Sequence, residues 1–118
     1  MNLLDSFYSN PQRWGFFFEL YSILTKIQAL LKASDSDKPI IFIERSILSN
    51  KIFMDLSNEL KKINKMEYCI LKKAYDFSVQ NIYPKLSGII YIDIPIDECI
   101  KRITKRKRVK KEQLKKVI

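Results

Sequence analysis

Residues 39–46 read Pro-Ile-Ile-Phe-Ile-Glu-Arg-Ser, and this stretch decides the fold class that the sequence predicts. Its first five residues are a short apolar run rich in β-branched side chains, which is typical of a strand covered on both faces. A second run of this kind, Gly-Ile-Ile-Tyr-Ile-Asp, occupies residues 88–93. We therefore expect two short parallel-type strands, at about 39–43 and 88–93.

Helical patterns surround both predicted strands. Apolar residues recur at helical spacing from Pro11 to about Ala33, and Asn10 is a suitable N-cap for this long helix. Shorter helices are expected over residues 2–8, 50–63 and 66–79, and from Pro95 into the C-terminal segment. The order helix, strand, helices, strand, helix predicts an α/β fold with a parallel sheet.

The charged pair Glu44-Arg45 directly follows the first predicted strand. In parallel sheets, ligands bind beyond the carboxyl ends of the strands. Arg45 can donate two hydrogen bonds to phosphate oxygens, and Glu44 can bind a metal ion directly or through water. The alternative is a solvated loop in which Ser46 caps the next helix, and the spacing favours neither interpretation.

An aromatic cluster precedes Glu19 in the sequence, and most of it lies in the long predicted helix. Its members are Tyr8, Trp14, Phe16, Phe17 and Phe18. From the residues alone, core packing is the better explanation for most of these rings. A ring on the inner helix face can instead stack on a nucleobase, with Glu19 hydrogen-bonding to the base edge.

The positive charge is concentrated at the C-terminus. Residues 101–118 contain ten of the 22 lysines and arginines but one of the 13 acidic residues, so the first hundred residues are balanced. Such a segment binds phosphates on a lid or contacts nucleic acid non-specifically. The alternative is a solvated helix face whose like charges repel one another.

Composition excludes several classes of site. The chain has no histidine, which removes the commonest general base and the usual zinc ligand. Its two glycines, Gly15 and Gly88, allow neither a GxxxxGK[ST] phosphate-binding loop nor a GxGxxG dinucleotide motif. Cys69 and Cys99 show no CxxC pairing and are expected to be reduced thiols. With no signal-peptide pattern and no long apolar run, we expect a cytoplasmic protein that is not inserted in a membrane.

Taken together, these segments resemble the deoxynucleoside kinase family, the group of deoxycytidine, deoxyguanosine and thymidine kinase-like enzymes. The order and spacing of four stretches agree with the family, and the resemblance covers nearly the whole chain. The stretches are Asn-Pro-Gln-Arg-Trp-Gly-Phe-Phe-Phe-Glu at 10–19, Ile-Glu-Arg-Ser-Ile-Leu-Ser-Asn at 43–50, Gly-Ile-Ile-Tyr-Ile at 88–92, and Pro-Ile-Asp-Glu-Cys-Ile-Lys-Arg-Ile-Thr-Lys-Arg-Lys-Arg at 95–108.

The resemblance implies roles for the nucleoside-binding positions. Tyr8 matches a tyrosine that hydrogen-bonds to the deoxyribose, Leu4 matches an apolar wall of that pocket, and Phe18 matches the phenylalanine that stacks on the base. Glu19 stands where the family usually has a glutamine. An ionised carboxylate only accepts hydrogen bonds, so the pairing pattern with the base changes.

Further departures from the family lie near the base. Lys26 replaces a common arginine and Asn50 a common aspartate, and one residue is missing around residues 51–53. Lys111 falls where the family often has a lid glutamate that holds the sugar.

The resemblance also implies the parts that carry out phosphate transfer. Glu44 and Arg45 match the motif that serves Mg²⁺ and the reacting 5′-hydroxyl and phosphate region. Arg102, Arg106 and Arg108 match lid arginines that close over the phosphates of ATP. The family's phosphate-binding loop and its catalytic glutamate base have no counterpart among these 118 residues.

The sequence therefore predicts one partial kinase domain over residues 1–118, a part of the three-layer fold of phosphate-binding-loop kinases, with a basic lid-like helix at 101–118. The implied activity is transfer of the ATP γ-phosphate to a deoxynucleoside in nucleotide salvage, and the chain alone is expected to be inactive. The alternatives are a basic module that binds nucleic acid and a pseudoenzyme that associates with a full-length homologue. A homodimer formed through helices is also expected from the resemblance. The preferred nucleoside is left open.

Overall fold

The computed structural model describes residues 2–106 and divides the chain into two units, Met1–Lys85 and Leu86–Ile118. The described part contains five α-helices. They are α1 (Leu3–Ser9), α2 (Pro11–Ser34), α3 (Leu48–Glu59) and α4 (Lys65–Asn81) in the first unit, and α5 (Ile96–Arg106) in the second. The helices predicted from the sequence are confirmed, although α3 begins two residues earlier and ends four residues earlier than expected.

The prediction of an α/β fold is wrong for residues 2–106, which contain no strand. The segments 39–43 and 88–93 have the composition of buried strands, but neither segment is a strand in the described part of the chain. A strand depends on hydrogen bonds to a neighbour, so composition alone cannot produce one. Without that neighbour the apolar side chains stay exposed, with Phe42 at 79% and Ile89 at 81%.

The first two helices begin at asparagine caps. The side chain of Asn2 accepts a hydrogen bond from the backbone N–H of Asp5, and that of Asn10 accepts from Arg13 N–H. Pro11 then occupies the first turn of α2, where its missing N–H costs nothing. Asn10 is thus both the C-cap of α1 and the N-cap of α2, so the two helices are joined by a single residue.

A tight turn joins α3 to α4. The N–H of Lys62 donates to the carbonyl of Ser57 and the N–H of Lys61 to that of Asn58, which is the hydrogen-bond pattern of a Schellman motif. Lys61 occupies the left-handed region, with φ 53°. Asn64 and Glu67 then form a complete capping box at the start of α4.

The core of the first unit lies where α2, α3 and α4 meet. Its buried members are Ile23, Ile47, Met54, Ile63, Leu71 and Tyr75. Gly15 lets α2 approach the α3–α4 turn, because an added Cβ at this position would lie 2.8 Å from the carbonyl oxygen of Lys62. This close approach brings the polar side chains of α2 against those of α3.

Candidate functional site

Polar side chains line the contact between α2 and α3, and we call this group the polar seam. It consists of Glu19, Ser22 and Lys26 on α2 and Asn50 and Ser57 on α3. On each helix these positions repeat at intervals of three, four or seven residues, which puts them on one face. Glu19, Asn50 and Ser57 are each at most 5% exposed, so the seam is a set of buried polar groups that depend on one another.

Lys26 and Asn50 form one end of the polar seam. Lys26 Nζ donates to Asn50 Oδ1 at 2.7 Å and to the hydroxyl of Ser49 at 3.3 Å, and Asn50 Nδ2 donates to Ser22 Oγ at 3.0 Å. Burial lowers the pKa of Lys26, and the nearby positive charge of Arg45 lowers it further, while Glu19 opposes both. The ammonium is thus held in place by neutral oxygens.

Glu19 forms the other end of the polar seam. Its Oε1 accepts a hydrogen bond from Ser57 Oγ at 3.2 Å. Burial raises the pKa of Glu19, and the Ser57 hydrogen bond and the charges of Lys26 and Lys62 counteract this only in part. The result is a desolvated carboxyl group beside two cations.

The aromatic residues expected at the nucleoside pocket meet at the contact between α1 and α2. The ring of Phe7 stacks on that of Phe18, with centroids 4.7 Å apart and an interplanar angle of 14°. Tyr8 is tilted against Phe7 at 5.7 Å, and Lys62 Nζ lies 5.6 Å from the Phe7 centroid. Phe7 therefore covers one face of the ring that the resemblance assigns to base stacking. Leu4 lies on the same short helix as Phe7 and Tyr8, and it is partly exposed.

Glu44 and Arg45 lie in an exposed loop directly before α3. Arg45 adopts a left-handed backbone conformation with φ 44°, which is unfavourable for a residue with a Cβ. Its carbonyl accepts from the Ser49 hydroxyl at 3.2 Å, and Ser46 Oγ accepts from Leu48 N–H at 3.3 Å. This loop thus contacts the residues that hold Lys26 while the side chains of Glu44 and Arg45 face solvent.

The described residues contain no cluster of potential metal ligands. Across residues 2–106, histidine, cysteine and acidic side chains do not gather in groups of three or more that can hold a metal ion. Glu44 offers one exposed carboxylate, and Mg²⁺ is usually bound by one or two carboxylates together with waters and substrate phosphates.

The lid arginines fall on α5, in the second unit. Arg102 and Arg106 are exposed, and Arg102 Nε donates to Glu98 Oε1 at 3.0 Å. Arg108 lies outside the described residues, as does Lys111. No helix between residues 2 and 106 combines the length and apolar composition that crossing a bilayer requires.

Three members of the site were missed from the sequence, namely Ser22, Ser57 and Phe7. The serines could have been found from spacing, since Ser22 lies between Glu19 and Lys26 on one helical face and Ser57 is seven residues after Asn50. Phe7 carries no such signal, because its position depends on how α1 packs against α2.

Comparison with known protein families identifies the family of this chain. The deoxynucleoside kinase family matches residues 1–116, so the chain belongs to this family and the resemblance drawn from its sequence is confirmed.

The chain is similar to several curated kinase sequences over nearly all of its own length. It is 34% identical to human deoxycytidine kinase, with 91% of this chain and 44% of the relative covered. It is 30% identical to a probable deoxycytidine kinase of fowlpox virus, covering 97% and 49%, and 27% identical to the mitochondrial deoxyguanosine kinase of Xenopus laevis, covering 96% and 46%. The chain therefore spans less than half the length of these relatives.

Proposed function

We propose that this chain is the nucleoside-binding part of a kinase that transfers the γ-phosphate of ATP to the 5′-hydroxyl of a deoxynucleoside in nucleotide salvage. Membership of the family supports the reaction class. The observation that carries the proposal is the polar seam, because a buried carboxyl, ammonium and amide placed together match the hydrogen-bonding edge of a base.

Each candidate residue has a role in this proposal. Glu19 and Lys26 are proposed to contact the base edge, with Asn50 holding Lys26 in place. Phe18 is proposed to stack on the base, and Tyr8 and Leu4 to line the deoxyribose pocket. At the reacting end, Arg45 orients phosphate oxygens and Glu44 supports the 5′-hydroxyl region and Mg²⁺. Arg102, Arg106 and Arg108 are proposed to close over ATP.

Phosphate transfer needs more than these residues supply. The chain contains no GxxxxGK[ST] loop, and the part that the structure describes contains no group of three or more His, Cys, Asp or Glu side chains that could hold a metal ion. Family membership implies ATP and Mg²⁺ as cofactors, and without that loop the chain lacks the backbone cradle that binds the phosphates of ATP. We expect the purified 118-residue chain, given ATP, Mg²⁺ and deoxynucleosides, to show no turnover above background.

Nucleoside binding is the measurement that tests the proposal. Titration calorimetry of the full chain with the four common deoxynucleosides should detect binding of at least one. Phe18→Ala should weaken that binding at least about tenfold, because a stacked ring contributes about 1–3 kcal/mol. Phe17→Ala removes the adjacent exposed ring and is the matched control. Binding that survives Phe18→Ala and is lost in Phe17→Ala would place the pocket elsewhere.

The exposed face of α2 supports a homodimer or association with a full-length homologue as part of the same proposal. Phe17, Tyr21, Leu24 and Leu31 follow one another along this face, and each is 43–54% exposed. An apolar row of this length on a soluble surface marks an interaction site.

A nucleic-acid-binding module is the second candidate, and α5 supports it. Lys101, Arg102, Lys105 and Arg106 are all exposed on this helix, which contains no buried residue. Filter binding to double-stranded DNA should then weaken steeply between low and moderate salt. Salt-independent retention, or none, would eliminate this candidate.

A further inference from the structure

The hydroxyl of Ser49 joins the loop before α3 to the polar seam. Its single hydrogen is shared between two backbone carbonyl oxygens, that of Ser46 at 2.8 Å and that of Arg45 at 3.2 Å. The same Oγ accepts a hydrogen bond from Lys26 Nζ at 3.3 Å. One small side chain therefore contacts α2 and two successive carbonyls of the loop.

Thr25 makes the same pair of hydrogen bonds in an ordinary setting. Its Oγ1 donates to the carbonyl of Tyr21 at 2.9 Å and to that of Ser22 at 3.1 Å, and all three residues lie within α2. Such bonds connect a helix only to itself. The two acceptors of Ser49 lie at the same intervals along the chain, but they precede Leu48, the first residue of α3. The hydroxyl of Ser49 therefore ties a loop to a helix.

The backbone of Arg45 depends on contacts of this kind. Its φ of 44° lies in the left-handed region, which is unfavourable for a residue with a Cβ. A residue keeps such a conformation only where the surrounding structure outweighs the cost. The bond from Ser49 Oγ ends on the carbonyl of Arg45 itself, so it acts directly on the unfavourable turn.

Lys26 sets the direction in which the Ser49 hydroxyl donates. An ammonium can only donate, so the oxygen of Ser49 must accept from it, and the hydroxyl hydrogen is left for the loop carbonyls. Burial lowers the pKa of Lys26, and the positive charge of Arg45 lowers it further, so the two cations are near enough to repel each other. Ser49 places a neutral oxygen in contact with both residues.

On this basis we infer that Ser49 is a positioning residue, which holds the left-handed turn at Arg45 in a fixed place relative to Lys26. It acts through Arg45 and does not itself contact the substrate. The inference rests on the proposed function only for the use of this turn, which is to aim the guanidinium of Arg45 at phosphate oxygens. Whether Ser49 holds the turn can be measured without a ligand.

NMR spectroscopy of the full 118-residue chain tests the effect of Ser49 on the backbone. In a left-handed residue the amide hydrogen lies unusually close to the Hα of the same residue, so Arg45 should give a strong nuclear Overhauser effect between the two. Ser49→Ala removes the hydroxyl, and this signal should fall to the level of residues with negative φ. Ser49→Thr should restore it, because Thr25 shows that threonine can make the same pair of bonds.

Thr25→Ala is the matched control. It removes the same pair of hydrogen bonds from the middle of α2 and should leave the Arg45 signal unchanged. A strong Arg45 signal that persists in Ser49→Ala overturns the inference. Equal loss of the signal in Ser49→Ala and Ser49→Thr also overturns it, because the hydroxyl is then not the cause.

Calorimetric titration with the four common deoxynucleosides and their 5′-monophosphates tests the use of the turn. The members of each pair differ by one phosphate, so the ratio of their affinities measures contacts to phosphate oxygens. Ser49→Ala should weaken binding of the monophosphate about fivefold or more relative to the nucleoside, since a displaced guanidinium loses part of a charge-assisted hydrogen bond. Ser49→Thr should restore the ratio, and Thr25→Ala should not change it.

The outcomes separate this inference from the proposed function. If the Arg45 signal changes in Ser49→Ala while the affinity ratio does not, Ser49 has no positioning role toward phosphate and the inference is overturned. If none of these ligands binds, the proposed function is overturned, and the Arg45 signal alone decides whether Ser49 holds the turn.

Discussion

Glu19 shows how one buried group links the stability of this chain to its chemistry. The helix that positions it also removes it from water, and burial raises its pKa. Isolated buried carboxyl groups favour the neutral form, since an ionised group loses its hydration. A residue suited to bind a ligand is therefore also a source of instability in the free chain.

The pH dependence of stability should reveal this effect. Because the folded pKa of Glu19 lies above its ordinary value of 4.5, folding is favoured when the group is protonated, and this contribution is lost as pH rises through the folded pKa. Glu19→Gln should therefore raise the free energy of unfolding at neutral pH by on the order of 1 kcal/mol. At a pH below the ordinary pKa of Glu19, the two proteins should have the same free energy of unfolding.

Urea unfolding of both proteins at neutral and acidic pH provides the measurement. Asp37→Asn, in the exposed loop after α2, is the control and should change stability at neither pH. If Glu19→Gln raises the free energy of unfolding equally at neutral and acidic pH, burial of the Glu19 charge is not the cause of the stabilisation.

At the scale of single residues, the sequence predicted part of the site. The resemblance predicts Glu19, Lys26 and Asn50, and in the structure Lys26 hydrogen-bonds to Asn50 while its charge acts on the pKa of Glu19. Phe7 was missed, because a contact between residues of two helices depends on packing that no local pattern encodes. The roles of these residues toward a ligand stay predictions.

The turn between α3 and α4 shows that element boundaries follow local hydrogen bonds. The sequence predicts α3 to continue to residue 63, because apolar residues keep their helical spacing that far. The Schellman motif ends the helix at Glu59 instead, with Lys61 in the left-handed region. The sequence does not predict this helix end, because the position after it is usually glycine and here is lysine.

Lys61→Gly should therefore stabilise the protein. Glycine avoids the cost of a Cβ at positive φ, about 1–2 kcal/mol, and gives back about 0.5–1 kcal/mol through the greater freedom of the unfolded chain. The expected net gain in unfolding free energy is up to about 1.5 kcal/mol, measured by thermal or urea unfolding. Lys73→Gly, in the exposed middle of α4, should instead lose about 1 kcal/mol. If both substitutions destabilise equally, Lys61 is not under backbone strain.

The contact of α2 with this turn depends on Gly15. A Cβ there would meet the carbonyl oxygen of Lys62 at 2.8 Å, and a backbone atom cannot move aside as a flexible side chain can. Gly15→Ala should cost about 1–3 kcal/mol of unfolding free energy, although alanine is the better helix former. Gly88→Ala is the control, because nothing lies within 4 Å of the added atom. Equal stability of the two variants would contradict the close approach.

At the scale of the whole molecule, the sequence predicted helices well and strands wrongly for one physical reason. An amphipathic helix completes its hydrogen bonds within its own segment, so a local pattern is sufficient evidence for it. A strand needs a partner, and the segments 39–43 and 88–93 have none within residues 2–106. Both segments therefore have the apolar composition of buried strands, yet their side chains are exposed.

The exposed apolar row on α2 also lacks a partner within the described residues. It leads to a prediction about association. The helix is apolar on the face opposite the core as well, so Phe17, Tyr21, Leu24 and Leu31 remain uncovered in the isolated chain. Contact between two apolar surfaces removes both from water, which is favourable in free energy. We expect sedimentation velocity to show concentration-dependent self-association of the purified chain.

Leu24→Glu should weaken this association at least about tenfold, because it removes an apolar contact and places an unpaired charge at its centre. Ala29→Glu adds the same charge to another exposed side of α2 and should have little effect, which separates loss of the contact from a change in net charge. A chain that sediments as a monomer at every concentration would contradict the proposed use of this face. Equal weakening by both substitutions would show that general charge repulsion, and not contact along the apolar row, controls the association.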